Sequence, residues 1–136
     1  MMTLYNLILV LNQDKTKVLF LHRSKDPYKG LYNLIGGKIE ADENYLESAY
    51  RELFEETGIQ KSDIKLIPFI DFIWHPFDME MKVFIGKLNK EVTLVEELHK
   101  LYWFDIDENF FDMTKFAGEG NIGHMINIYF LNKEIV

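Results

Sequence analysis

The chain has 136 residues and no cysteine, so disulfide bonds, thiolate metal sites and cysteine nucleophiles are excluded. Its net charge of −7 at pH 7 argues against a module that binds nucleic-acid duplexes through a basic surface. Hydrophobic residues make up 48% of the chain, which is enough to bury a core, and we expect one domain over residues 1–136.

Two buried strands are predicted at residues 4–11 and 17–22, where apolar side chains follow one another closely. The turn-forming sequence Asn12-Gln13-Asp14 between them favours a hairpin. Both apolar runs are too short to span a bilayer. No basic region precedes the first run, as a signal peptide would require. We therefore expect a cytoplasmic protein that has no membrane partner.

A short strand at residues 31–35, ending at Gly36-Gly37, is predicted to precede a helix. Asn44 is expected to cap this helix, with Glu47 at the third helical position as in a capping box. Gly58 is expected to end it in the left-handed conformation. Four apolar residues at helical spacing would pack on the core: Leu46, Ala49, Tyr50 and Leu53.

The second half of the chain is predicted to add three strands and one helix. The strands cover residues 64–74, 79–88 and 99–104, and a turn at residues 75–78 joins the first two. A C-terminal helix is indicated by the helical spacing of Ile122, Met125, Ile126 and Tyr129. Because strands and helices do not alternate regularly, we expect an α+β fold with a mixed sheet flanked by helices.

Three glutamates crowd one face of the first predicted helix. Glu52, Glu55 and Glu56 stand at i, i+3 and i+4, and each like-charged pair costs an isolated helix roughly 0.2–0.5 kcal/mol. Their position near the negative end of the helix dipole, before Gly58, adds roughly 0.3–1 kcal/mol each. A hard cation with oxygen ligands would compensate for this charge. Taken alone, a cluster of this kind is more often a solvated acidic face, here balanced by Arg51.

The segment GKIEADENYLESAYRELFEETGI, residues 37–59, carries more than this cluster. It resembles the Nudix signature, in which Gly, Glu, Arg-Glu-aliphatic, Glu-Glu and Gly-aliphatic recur at fixed spacing. The matching positions are Gly37, Glu43, Arg51, Glu52, Leu53, Glu55, Glu56, Gly58 and Ile59. The resemblance implies an α/β/α sandwich and an enzyme that hydrolyses a nucleoside diphosphate linked to another moiety.

The resemblance also implies a metal site. Glu52, Glu55 and Glu56 are its metal-binding set, and the backbone carbonyl of Gly37 is a further ligand. Mg²⁺ is the expected ion, and Mn²⁺ is possible. Such an ion neutralises phosphate oxygens, activates water and stabilises the leaving oxygen.

Two more residues are candidates for the catalytic machinery. Arg51 is expected to pair with Glu55 or Glu47 and so to orient a carboxylate. Glu97 lies six positions before Trp103. In the family, an acid at about this spacing commonly serves as a metal ligand or as the base. A solvated turn is the alternative for Glu97.

Four side chains are candidates for substrate binding. Arg23 ends the second strand and Lys38 follows the glycines, so each could bind phosphate or simply solubilise the surface. The run GGKIE is similar to that of the MutT-type enzymes of the family, which remove oxidised guanine nucleotides such as 8-oxo-dGTP. Asn33 and Asn121 lie where some of these enzymes contact the base. The alternatives are an edge-strand position for Asn33 and loop capping for Asn121.

We therefore predict a small-molecule nucleotide substrate, with 8-oxo-dGTP as the leading candidate. The loop Phe116–Glu119 and Trp74 could supply a stacking wall, although aromatic residues are more often part of the core. ADP-ribose or another nucleoside diphosphate derivative is the alternative substrate. Pro68 comes too early, and Pro76 slightly late, for the proline that ADP-ribose enzymes often carry. The intact signature argues against a non-catalytic binding module, and the oligomeric state stays open.

Overall fold

The computed structural model describes residues 2–136, and Met1, the first residue of the predicted domain, lies outside them. Seven strands form one mixed sheet, and a helix packs on each of its faces. The strands are β1 (Thr3–Leu11), β2 (Lys17–His22), β3 (Tyr32–Asn33), β4 (Ile35–Lys38), β5 (Ile67–Trp74), β6 (Met79–Lys87) and β7 (Lys100–Asp105). The helices are α1 (Tyr45–Thr57) and α2 (Asn121–Leu131).

The sheet splits where β1 and β2 diverge. Its strand order is β3-β2-β1-β6-β5, with β4 on β1 and β7 on β2. Among the strands of residues 2–136, β1 and β6 are paired in parallel and the other pairs are antiparallel. The predicted hairpin is confirmed, but β1 and β2 are in register only at Leu11 and Val18. Beyond that pair, β1 takes β4 as its neighbour and β2 takes β3. The gap between the two diverging strands is the place where a ligand site can form.

Alternation along β1 divides the core between the two faces of the sheet. Leu7 and Leu9 belong to a buried cluster that includes α2, whereas Ile8 and Val10 belong to one that includes α1. Successive strand residues point to opposite faces, so a strand that is apolar throughout requires cover on both sides. The two helices provide it. The expected α+β fold with a mixed sheet between helices is confirmed.

The limits of α1 follow from its two capping residues. The Asn44 side chain accepts a hydrogen bond of 3.0 Å from the backbone N–H of Glu47. Gly58 has a φ of 77°, and its N–H donates to Phe54 at 2.9 Å. Both predictions are confirmed. The Glu47 carboxylate forms an ion pair of 2.6 Å with Lys61, so only half of a capping box is present.

Three predicted boundaries differ from the structure. The strand at residues 31–35 is in fact β3 and β4, and β4 continues through both glycines. A Cβ at Gly36 would lie 2.2 Å from the carbonyl oxygen of Asn6, so only glycine allows this close pairing with β1. β5 begins at Ile67 and not at residue 64, because Ile64 forms only an isolated bridge to Leu88, outside the ladder of β5 and β6. α2 begins at Asn121, one residue before Ile122, the first apolar residue on which the predicted helix rests. Within the described chain, no helix is long and apolar enough to cross a membrane.

Candidate active site

The three glutamates of α1 differ in their surroundings. The Glu52 side chain is 16% exposed, whereas that of Glu55 is 51% exposed. The Oε2 atom of Glu56 is buried and has no hydrogen-bond partner. A buried oxygen without a partner is costly in a folded protein, so Glu56 lies where an additional ligand would be favourable.

Gly37 brings the β4 backbone against the Glu52 carboxylate. A Cβ at Gly37 would lie 2.5 Å from the Glu52 carboxyl carbon, so a larger residue here would displace this carboxylate. The fully buried Asn6 holds this arrangement, because its Oδ1 accepts from the Gly37 N–H at 3.0 Å. Its Nδ2 donates to the Ser48 hydroxyl on α1 at 3.0 Å. Asn6 was not among the predicted site residues, although a lone amide within an apolar strand is a signal that the sequence carries.

Arg51 connects the acidic face to the start of the helix. Its guanidinium forms a bidentate pair with Glu43, at 2.6 and 3.0 Å. It also bonds Glu52 at 3.1 Å and Glu55 at 2.9 Å. The predicted pairing with Glu55 is confirmed. The alternative pairing with Glu47 is wrong, because Glu47 is held by Lys61.

Burial raises the pKa of both Glu52 and Glu56. For Glu52, the loss of solvation is the largest cause, and the charge of Arg51 opposes it. For Glu56, the loss of solvation is again the largest cause, while Arg23 lowers the pKa and Glu55 raises it. The charged forms of these two carboxylates are therefore disfavoured in the folded protein.

Removing the charge of Glu56 should stabilise the metal-free protein. The pKa of this carboxyl is higher in the folded protein than in the unfolded chain, where it is about 4.3. Its contribution to the free energy of unfolding is therefore complete below about pH 4.3 and disappears as the pH rises through the folded-state pKa. Glu56→Gln should therefore have a higher Tm than wild type in chelator at about pH 8, with a smaller difference near pH 5. The more exposed Glu55, changed to Gln, is the matched control. A Tm difference independent of pH would contradict the argument.

The residues present fit a hard divalent cation. Carboxylate and carbonyl oxygens are the ligands that such ions prefer. Glu56 offers a buried oxygen without a partner, and Gly37 exposes its backbone beside Glu52. Across residues 2–136, however, no three acidic or histidine side chains converge on one point, and Arg51 holds Glu52 and Glu55 in ion pairs. The ligand set Glu52, Glu55, Glu56 and Gly37 therefore stays a prediction.

Glu97 reaches this end of α1 because the segment before it docks on the helix terminus. The Val95 N–H donates to the Thr57 carbonyl at 2.8 Å, and the Val95 side chain lies against Gly58. The charge of Glu97 adds to burial in raising the pKa of Glu56. The structure thus brings an acid from outside the signature to the acidic face, and its catalytic role stays a prediction.

A cavity of about 250 Å³ opens where β1 and β2 diverge. This volume lies below the roughly 300–1,000 Å³ of sites for drug-sized ligands, so the cavity suits one ring system. Its apolar lining includes Leu34, Phe72, Trp74, Met79, Met81 and Ile122. Gly37 also lines it, and Gly37 lies against Glu52. A ligand in the cavity would therefore extend towards the acidic face.

The structure gathers three of the four predicted substrate-binding residues. Arg23, Asn33 and Asn121 line the cavity. Lys38 does not: its side chain is exposed and lines a separate depression beside Glu43. Neighbouring residues of a strand point to opposite faces, so Lys38 lies on the opposite side of β4 from Gly37.

The amides of the two asparagines are available to a ligand in different ways. Asn33 Oδ1 accepts from the Leu34 N–H at 2.8 Å, which leaves the Nδ2 hydrogens free. The Asn121 side chain makes no hydrogen bond within residues 2–136, so it can offer a donor and an acceptor. Phe116, expected in a stacking wall, is 2% exposed and packs 5.2 Å from Phe20. It is a core residue because the surrounding aromatic side chains enclose it.

Tyr28 and Glu119 meet beside the cavity, and sequence analysis missed this pair. The Tyr28 hydroxyl donates to the Glu119 carboxylate at 2.8 and 3.0 Å. Burial, followed by this hydrogen bond, raises the pKa of Tyr28 to about 12. Its ring also lies 6.0 Å from that of Phe77. The two residues are 91 positions apart, and no local pattern predicts such a contact.

The fold and the glutamate-bearing helix are those of a Nudix domain, and the family model described as NUDIX domain matches residues 2–122. The chain belongs to the Nudix family, the hydrolases that act on phosphoanhydride-type bonds. This confirms the resemblance drawn from residues 37–59.

Relatives of known function differ in their substrates. The NAD-capped RNA hydrolase NudC of Haemophilus influenzae is 32% identical over 88 residues, which are 63% of this chain and 33% of NudC. The oxidized purine nucleoside triphosphate hydrolase of Mus musculus is 28% identical over 107 residues, 77% of this chain and 67% of that protein. The chain thus spans about a third of the length of NudC.

Solved structures show the same fold at low sequence identity. An Ap4A hydrolase from C. elegans, solved as a binary complex, has a TM-score of 0.77 and is 15% identical. The match covers 98% of this chain and 99% of that one.

Proposed function

We propose that this chain is a Mg²⁺-dependent pyrophosphohydrolase of purine nucleoside triphosphates, with 8-oxo-dGTP as the leading substrate and the monophosphate and pyrophosphate as products. The observation that carries this proposal is the junction at Gly37, where a cavity sized for one ring system meets the acidic helix. A base in the cavity would direct its phosphates towards Glu52 and Glu56.

Nudix hydrolases generally use divalent metal ions. Here the carboxylates of Glu52, Glu55 and Glu56 and the Gly37 carbonyl would hold the ion. When bound, it supplies charge neutralisation at the phosphates and activation of water. In this proposal Glu56 accepts a proton or supports the ion, and the preference of its carboxyl for the neutral form, which burial causes, supports that role. Glu97, close to Glu56, is the second candidate for the proton acceptor.

The cavity supports a purine substrate through its mixture of apolar and polar groups. Phe72 and Trp74 offer apolar faces, and Asn33 and Asn121 offer amide groups free to bond a base edge. Arg23 lines the cavity, and its charge lowers the pKa of Glu56, so it is near both the base site and the acidic face. This is where a phosphate would need a cation. The similarity to the Mus musculus oxidized purine nucleoside triphosphate hydrolase supports the same substrate class.

Asn121→Ala should weaken the use of 8-oxo-dGTP. Leaving a buried polar partner unpaired costs roughly 1–3 kcal/mol, which corresponds to about a 5- to 150-fold loss in kcat/KM. Steady-state kinetics should show this loss for 8-oxo-dGTP and a smaller one for poor substrates. Asn127→Ala, an exposed position on the same helix, is the matched control. Equal losses for all nucleotides would remove Asn121 from base recognition.

A second candidate activity is the cleavage of a nucleoside diphosphate joined to another moiety, such as ADP-ribose or NAD. The 32% identity to NudC, a NAD-capped RNA hydrolase, favours it. Comparing kcat/KM for 8-oxo-dGTP, dGTP, ADP-ribose and NAD separates the two proposals. We expect 8-oxo-dGTP to rank first by a wide margin. A preference for ADP-ribose or NAD would overturn the triphosphate assignment and leave the family assignment intact.

A further inference from the structure

Trp74, the last residue of β5, carries a buried hydrogen-bond donor without a partner. Within residues 2–136, two buried side-chain polar atoms lack a partner, Glu56 Oε2 and Trp74 Nε1. Glu56 Oε2 belongs to the acidic face described above. Trp74 Nε1 has no role in the metal binding or proton transfer proposed there. Buried polar groups in folded proteins nearly always form hydrogen bonds. An acceptor from outside the protein would therefore be favourable at Trp74 Nε1.

None of the neighbouring polar side chains accepts a hydrogen bond from Trp74 Nε1. The Tyr28 hydroxyl hydrogen is used by the Glu119 carboxylate, at 2.8 and 3.0 Å. A polar contact of Trp74 with the Tyr28 hydroxyl lowers the Tyr28 pKa against the larger effect of burial, so the two side chains are neighbours. The contact lies outside hydrogen-bond geometry, and Trp74 Nε1 stays without a partner. The Asn33 carbonyl oxygen accepts from Leu34. Trp74 lines the cavity, and its indole N–H has no hydrogen-bond partner within residues 2–136.

An indole N–H can only donate, so it distinguishes acceptor atoms from donor groups. At the contacted position it would favour a carbonyl oxygen or an unprotonated ring nitrogen. An exocyclic amino group there would place two donors against each other. Met79 and Met81 beside it have no group that could reverse this preference.

Resting on the proposed function, we infer that Trp74 is a specificity-determining residue whose indole N–H donates to an acceptor atom of the substrate base. It selects bases that present a carbonyl oxygen over those that present an amino group at the same position. The aromatic ring provides stacking for either class, so discrimination comes from the nitrogen alone.

Trp74→Phe removes the donor and keeps an aromatic ring. Its kcat/KM should fall about 5- to 150-fold for 8-oxo-dGTP and dITP, as expected for a lost buried hydrogen bond. For dATP, which carries an amino group where dITP carries a carbonyl, kcat/KM should change little, so the dITP-to-dATP ratio should shrink. Trp103→Phe makes the same chemical change on β7, away from the cavity, and should alter neither value. Equal losses for dITP and dATP would show a packing role and overturn the inference.

The chain has two tryptophans, so a second measurement reads the hydrogen bond directly. A ¹H–¹⁵N correlation spectrum should show two indole signals, and the Trp103→Phe variant identifies the one from Trp74. Adding 8-oxo-dGMP, the product, should shift the Trp74 signal downfield and leave that of Trp103 in place. Binding without this shift would overturn the inference alone. Failure of every purine nucleotide to bind would remove the proposed function and this inference together.

Discussion

Replacing Glu56 with glutamine should lower kcat by roughly 10²–10⁴-fold, as expected for the loss of a proton acceptor or of the group that supports the metal. The buried Oε2 of Glu56 has no protein partner, and its pKa is raised mainly by burial. Both features indicate that a proton or a cation would bind favourably to this carboxylate. Glu56 is not among the buried residues of α1, which are Ser48, Ala49, Leu53 and Thr57, and glutamine has nearly the same shape, so the fold should persist.

Single-turnover and steady-state kinetics on folded protein test this expectation. Circular dichroism should confirm an unchanged fold for Glu56→Gln. Glu47→Gln on the same helix is the matched control, because Glu47 bonds Lys61 away from the acidic face and its loss should leave kcat unchanged. A folded Glu56→Gln protein with near-normal turnover would exclude Glu56 from the site.

Removing divalent cations should abolish turnover, and adding Mg²⁺ should restore it. Three like charges on one helix face, two of them with raised pKa values, leave the metal-free site electrostatically unfavourable. An ion that binds only the folded state also stabilises it, by about 2.7 kcal/mol at a concentration 100 times its Kd. Wild-type Tm should therefore rise with Mg²⁺, following the same concentration dependence as turnover.

The stability readout separates binding at this site from a general salt effect. Glu56→Gln should show a smaller rise in Tm with Mg²⁺ than wild type. Adding NaCl at matched ionic strength should not reproduce the wild-type rise. Full turnover after exhaustive chelation would contradict the metal requirement.

The local parts of this structure were predictable because short-range rules determine them. Asn44 and Gly58 define the limits of α1 through hydrogen bonds within one turn. The spacing of Glu52, Glu55 and Glu56 places them on one face of any helix. The apolar runs of β1 and β2 predict strands covered on both faces, which requires a helix on each side of the sheet.

Contacts between distant segments were not predictable in this way. Glu97 reaches the end of α1 only because Val95 docks on the backbone of Thr57. Tyr28 meets Glu119 through loops 91 positions apart. Lys38 was expected near the phosphates, but the alternation of β4 directs it elsewhere. Each of these depends on the way strands diverge and pair, which no local pattern encodes.

The most direct test of the account is to identify the products formed from 8-oxo-dGTP. With Mg²⁺ present, the wild-type protein should release 8-oxo-dGMP and pyrophosphate in equal amounts, with no inorganic phosphate as a primary product. The same sample treated with chelator should release neither. Absence of pyrophosphate release with Mg²⁺ present, or release that continues undiminished after chelation, would contradict the account.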